Sequence, residues 1–326
     1  MFVKFPYYHE GQLTILKSRL INNDYLLKRA CKAGLQNYIL SLPFLQSKFL
    51  AIGYRKKKVY LETQEDLSDK GIADVLEAVI CAYFLDQERN KERGLRALWT
   101  NVLCRFSIIR EAPFPDCRAI SSLYDSNVVL TDVVRAHVTE IELQLGHSFR
   151  SPLLAIEAMT HPSFSNRLDD DMPTTACYQR LEFLGDALLD FVVTEYLYSI
   201  SPPLDPGGIT NWRSFFVCNS MLGYISVKSR FHAYMLYNSP ILDKEIKLYM
   251  ESIPDTIFGD IGAVLALPEL ANPPKALGDV VESLIGAVFI DSDGDMDEVT
   301  SVINQLVIKP YIQVVLEAQN KNSNSA

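Results

Sequence analysis

Apolar residues recur at three- and four-residue intervals along LTDVVRAHVTEIELQLG, PLLAIEAMTH, QRLEFLGDALLDFVVTEYLYSI, SMLGYISVKSRF and KALGDVVESLIGAVFI. That spacing places them on one face of a helix. No set of short alternating strands with hairpin turns interrupts them. The pattern predicts an all-α protein. Two prolines break it in EAPFPDCRAISSLYDSN, around 111–127, and the break predicts a linker.

The helical pattern also repeats. KGIADVLEAVICAYF (Lys70 to Phe84) and KALGDVVESLIGAVF (Lys275 to Phe289) share seven of fifteen paired positions. Pro6, Gly11, Thr14, Ser18 and Asn23 match Pro202, Gly207, Thr210, Ser214 and Asn219 at a constant offset of 196. Asp74 and Glu77 match Asp279 and Glu282 at an offset of 205, so the first copy holds about nine more residues between these landmarks. A duplication of this length predicts two related domains instead of a short-period solenoid. The expected boundaries are a partial first domain over 1–112, a linker over 113–131, a complete second domain over 132–320 and a polar tail, 321–326.

Each copy sets acids into an apolar run. In QRLEFLGDALLDFVV, Glu182 and Asp186 are four apart and share a face, about 6 Å apart at ~1.5 Å rise per residue. Asp279 and Glu282 share a face of the later helix, with Gly278 and Gly286 on or beside that stripe. Glycine there allows close approach by a neighbouring helix or a ligand. An ordinary solvated face is the bland reading, but the polar arc is narrow. Carboxylates on such a stripe need partners, because an isolated buried charge is expensive. Basic partners at helical spacing are scarce apart from Lys275. If the two helices pack together, four carboxylates converge and raise one another's pKa unless a cation neutralises them. Magnesium suits an all-oxygen cluster, and metal-assisted phosphodiester hydrolysis is the chemistry it would serve.

Composition constrains this picture without redirecting it. Hydrophobic residues make up 48% and charged residues 22% of 326 residues, as in globular proteins. No apolar stretch reads as long and clean enough to span a bilayer, and MFVKFPYYHE does not read as a signal peptide. The six cysteines contain no CxxC pair, which argues against a zinc site or a disulfide framework. They fit a reducing compartment, so an intracellular location, cytoplasmic or nuclear, is expected. The net charge of −9 counts against nucleic-acid binding, which favours basic surfaces. The dense basic run Arg55 to Lys58 is read either as a phosphate contact or as a solvated loop. DSDGDMDE (Asp291 to Glu298) fails the EF-hand pattern, with its Gly fourth and Val302 at the twelfth position, and is read as a turn into the last helix.

QRLEFLGDA resembles the signature of the ribonuclease III family. The likeness extends through IELQLGHSF, LLAIEAMTHPSFSN, GGITNWRSFFVCNSML and PKALGDVVESLIGAVFIDSDGD, covering residues 133 to 320. Two such domains in one chain resemble the Dicer branch, and HEGQLTILKSRLINN with KGIADVLEAVICAY resembles the later part of Dicer's first domain. The resemblance implies two helical domains paired within the chain, the first incomplete at its N-terminus. It implies a Dicer-like endoribonuclease acting on double-stranded RNA, in RNA processing and RNA interference, with 5′-phosphate and 3′-hydroxyl products. Glu182, Asp186, Asp279 and Glu282 would be catalytic and carry Mg²⁺, with Mn²⁺ as a substitute. Lys275 would steady a phosphate or pair with the acids; Phe183 would plug into the paired domain or pack in the core. Gln179 stands where bacterial members often have Glu and would contribute no ligand. In the first copy, Asp74 and Glu77 would form half a site, since the counterparts of Glu182 and Asp186 would precede Met1. A single-strand nick by the second domain follows from that reading, along with apolar surface left exposed on the first copy. Other Dicer regions and protein partners are not specified. The competing class is a non-catalytic module of the same fold, serving RNA binding or assembly, or a truncated remnant.

Overall fold

The computed structural model describes residues 2, 4–5, 7–39, 68–86, 91–106, 108–109, 114–124, 130–164, 177–253 and 272–316. Arg55 to Lys58 and the polar tail lie outside them. Helices dominate, and among the described residues no strand forms beyond a single parallel bridge between Thr160 and Leu236. The chain divides into two units, Met1–Thr14 with Pro115–Ala326, and Ile15–Phe114. The division falls inside helix α1 (Glu10–Ile21).

In the smaller unit, α2 (Asn23–Lys32) starts where the Asn22 side chain accepts the Tyr25 N–H at 2.7 Å, a cap for an otherwise orphaned donor. It packs against α3 (Asp69–Asp86) through Leu26, Ala30, Ile72, Ala73 and Leu76. Tyr25 donates its hydroxyl to the Ile108 carbonyl at 2.9 Å and lies beneath the Arg29 guanidinium. Next comes α4 (Lys91–Leu98).

The larger unit continues with a short α5 (Arg118–Ser121), inside the stretch where the prolines suggested a linker. This part is not a bare connection. Cys117 and Ile120 are buried, Ser121 Oγ donates to Asp293 at 2.7 Å, and Tyr124 Oη donates to Glu157 at 2.8 Å. The helices α6 (Asp132–Leu145) and α7 (Pro152–Met159) follow, the first capped by Thr131 and closed by Gly146 at φ 67°, where only glycine is unstrained. Then come α8 (Gln179–Tyr198), α9 (Pro206–Phe216), α10 (Asn219–Lys228) and α11 (Pro240–Ser252). The last are α12 (Lys275–Asp291) and α13 (Met296–Ile303).

The core is built around α12. Every residue from Ala276 to Val288 except Glu282 is buried, with α7, α8, α10 and α13 packed about it. A helix apolar all round is stable in water only in such a place. Ser283, fully buried, donates to the Ala158 carbonyl at 2.6 Å and so ties α12 to α7. The DSDGDMDE stretch does form the turn into the next helix, with Asp293 and Gly294 at positive φ and Asp295 capping α13. Its outer acids hold His147, whose two ring nitrogens meet Asp291 at 3.1 Å and Glu298 at 2.7 Å.

One expectation needs correcting. The helical run Met296–Leu316 is long and apolar enough to cross a membrane by length and composition, with a mean hydropathy of 1.3. Its polar positions are spaced so that no clean apolar block shows in the sequence. Half of its most apolar stretch is buried, through Val302, Ile303, Leu306, Val307, Ile308 and Ile312 among others, as a core helix requires.

Candidate active site

The site is made by the crossing of α8 and α12. At Gly185 an added Cβ would collide with the backbone carbonyl of Glu282, and at Gly286 with the carbonyl of Leu181. Backbone therefore meets backbone, closer than any side chain would allow, and the acids of the two helices are drawn together. At Gly278 an added Cβ would instead meet the side chain of Asn219, whose amide donates to the Pro273 carbonyl at 3.0 Å.

One carboxylate oxygen from each of Glu182, Asp279 and Glu282 lies within 4.8 Å of the others. Asp186, half-buried, is one turn further along α8, close enough to Glu282 to act on its charge. The Lys275 ammonium bridges the first two acids, 2.6 Å from Glu182 Oε1 and 2.5 Å from Asp279 Oδ1. Lys275 itself is exposed, and its proton is held more tightly than usual by the two carboxylates. Phe183 is half-buried.

Burial sets the protonation of the cluster. It pushes the Glu282 carboxyl up to about 8, with Asp186, Asp279 and Glu182 adding repulsion. Burial also raises Glu182 and Asp279, with Lys275 opposing the rise in both. An all-oxygen donor set fits a hard dication. Two oxygens across a Mg²⁺ shell stand roughly 4 Å apart, so small side-chain movements close 4.8 Å to that span.

The first copy behaves differently. Asp74 and Glu77 lie exposed on α3. Among the described residues the only group of three or more potential ligands within reach of one ion is Glu182, Asp279 and Glu282.

Three contributors escaped the sequence reading. Tyr178, just before α8, donates its hydroxyl to Asp279 Oδ2 at 3.0 Å. Arg180, only 6% exposed, donates to the carbonyl oxygens of Phe2 at 3.2 Å, Phe5 at 3.1 Å and Tyr8, and stacks over the Phe2 ring. Gly185 sets the crossing. The available signals were an arginine and a glycine inside an otherwise apolar helical pattern, features that call for a packing reason.

These features define an all-helical protein with an oxygen-only carboxylate centre at a helix crossing. The profile of the Ribonuclease III domain matches residues 1–88 and 179–293. The chain belongs to the ribonuclease III family. It is 31% identical over 95% of its length to Endoribonuclease Dicer homolog 4 of Oryza sativa subsp. japonica, covering 19% of that protein. It is 33% identical over 96% of its length to Dicer-like protein 1 of Aspergillus clavatus, covering 21%. The chain thus spans about a fifth of the length of the curated relatives it matches. Among solved structures, the nuclease domain of ribonuclease III from Campylobacter jejuni is 24% identical, over 53% of this chain and 96% of that one, with a TM-score of 0.38.

Proposed function

We propose that this chain hydrolyses phosphodiester bonds of double-stranded RNA, with Glu182, Asp186, Asp279 and Glu282 holding divalent ions, Mg²⁺ first and Mn²⁺ as a substitute. The observation that carries the reading is the convergence of three carboxylates from two helices to within 4.8 Å. A repulsive, half-buried acidic group has no use in a scaffold, and membership of the ribonuclease III family supplies the reaction class. Bound there, the ions would lower the pKa of a water and stabilise the leaving oxygen, giving 5′-phosphate and 3′-hydroxyl ends.

The chain's own residues do the rest. The backbone contact at Gly185 fixes the carboxylates before any ligand arrives, so little ordering is left to be done on binding. Glu282, which burial makes hold a proton at neutral pH, would release it to solvent when a cation is bound. Lys275, on the exposed rim, swings from the carboxylates to an incoming phosphate oxygen. A place in RNA processing and RNA interference, which the Dicer names of the relatives suggest, belongs to the same proposal, as does pairing of the two domains.

The exposed Asp74 and Glu77 favour cutting of one strand only. They also favour the competing reading, a module of the same fold that binds RNA or assembles without cutting. Incubating long duplex RNA with the intact chain and Mg²⁺, beside Glu282→Ala and beside EDTA, separates the two. Nicks that vanish in both controls are expected. Cutting that survives both refutes the assignment, and no cutting by the wild type supports the non-catalytic module.

A further inference from the structure

The two oxygens of Asp279 are held in different ways. Oδ1 faces Glu182 across the Lys275 ammonium, at 2.5 Å from Nζ. Oδ2 accepts the Tyr178 hydroxyl at 3.0 Å. Lys275 hangs from a flexible, exposed stem and would be displaced by like-charge repulsion if Glu182 and Asp279 held a dication. Tyr178 has no such freedom. It is 3% exposed, its N–H donates to the Thr160 carbonyl at 2.9 Å, and its ring meets His161 edge-on at 5.7 Å.

Tyr178 is also joined to the opposite wall of the site. Its backbone carbonyl accepts the Glu182 N–H at 2.8 Å in the first turn of α8. One residue therefore holds the start of the helix that bears Glu182 and, through its side chain, the carboxylate on α12. We propose that Tyr178 is a positioning residue of the metal centre: it pins Asp279 Oδ2 and leaves Oδ1, the oxygen that shares the Lys275 ammonium with Glu182, to meet the ion. A carboxylate held in this way meets an ion with one defined atom and loses little rotational freedom in doing so. The inference rests on the proposed metal centre and adds to it a residue that touches no ion.

Tyr178→Phe removes one oxygen and keeps the buried ring, so the fold is retained. The full chain, freed of metal and without RNA, is titrated with Mn²⁺ and followed by electron paramagnetic resonance, beside Tyr178→Phe and Tyr224→Phe. Tyr224 is a fully buried phenol on α10 whose ring meets Tyr311 edge-on at 5.9 Å. Loss of a hydrogen bond to a ligating carboxylate weakens metal binding roughly 10- to 100-fold. That loss is expected for Tyr178→Phe alone, with metal-free melting temperatures of wild type and variant within a few degrees. Equal Mn²⁺ affinity in wild type and Tyr178→Phe overturns the role while leaving the centre intact. Equal weakening in both variants also overturns it, by making the effect global. A wild type that takes up no Mn²⁺ overturns the centre and this role together.

Discussion

Replacing Gly185 with alanine tests the crossing on which the site depends. Two effects oppose each other. Alanine in a helix interior is favoured over glycine by about 1 kcal/mol, which alone would stabilise α8. Against that, the new Cβ falls on the carbonyl oxygen of Glu282, a backbone atom in the middle of a buried helix that cannot rotate away. Restoring ordinary contact requires α8 and α12 to part by roughly 1.5–2 Å, given carbon contacts near 3.5–4.0 Å. Leu181, Leu189, Val280, Leu284, Ile285 and Val288, all buried, belong to these two helices. A gap of ~0.5–1 Å already forfeits a quarter to a half of each contact's attraction. Overpacking costs about 1–3 kcal/mol when side chains can adjust, so a rigid backbone obstacle belongs at or above the upper end. The overlap wins, with a net loss of about 2 kcal/mol or more once the gain in propensity is subtracted. For a unit of this size that is a fall in melting temperature of roughly 4–8 °C. Circular dichroism melts in EDTA measure it, and Mn²⁺ titration should show the affinity falling with it as the carboxylates separate. An unchanged or raised melting temperature would refute the reasoning, since it would mean that propensity prevailed and the helices do not touch there.

Glu282 predicts a pH dependence with a definite sign. Its folded pKa of about 8 lies above the ordinary 4.5, so the folded state holds a proton that the unfolded state releases. The metal-free protein should lose stability as pH rises from the ordinary value through about 8, and Glu282→Gln should flatten that slope while abolishing Mn²⁺ uptake. Urea melts at several pH values check this, and a metal-free stability that rises over the same interval would contradict it. Arg180→Met should free the N-terminal segment by stripping the donors from the Phe2, Phe5 and Tyr8 carbonyls. Hydrogen bonds to charged groups contribute about 1.5–3 kcal/mol each to stability, so a loss of a few kcal/mol is expected together with faster proteolysis before Glu10. A variant cleaved no faster than wild type would show that the segment does not depend on this guanidinium.

Helix content and the pairing of acids along each helix were legible because both follow from local spacing. The repeat, the family signature and the turn at Asp291 to Glu298 were legible for the same reason. What the pattern missed lies between segments far apart in the chain. Arg180 reads as an odd charge in an apolar helix until the Phe2 to Tyr8 carbonyls come to it. Gly185 reads as a weak helix position until Glu282 is set against it. The run Met296–Leu316 shows the converse, because burial in a core and burial in lipid ask for the same side chains.

The two matching segments, Lys70 to Phe84 and Lys275 to Phe289, separate these contributions. Their own residues were enough to make each a helix with an Asp and a Glu three apart, since hydrogen bonds within a helix span four residues. Neighbours decided the rest. On α12, surrounding helices bury Asp279 and bring Glu182 beside it; on α3, Asp74 and Glu77 lie in solvent. Burial, a nearby charge or a hydrogen bond shifts a carboxylate's proton affinity, and for Asp279 the burial comes from the chain's long-range packing.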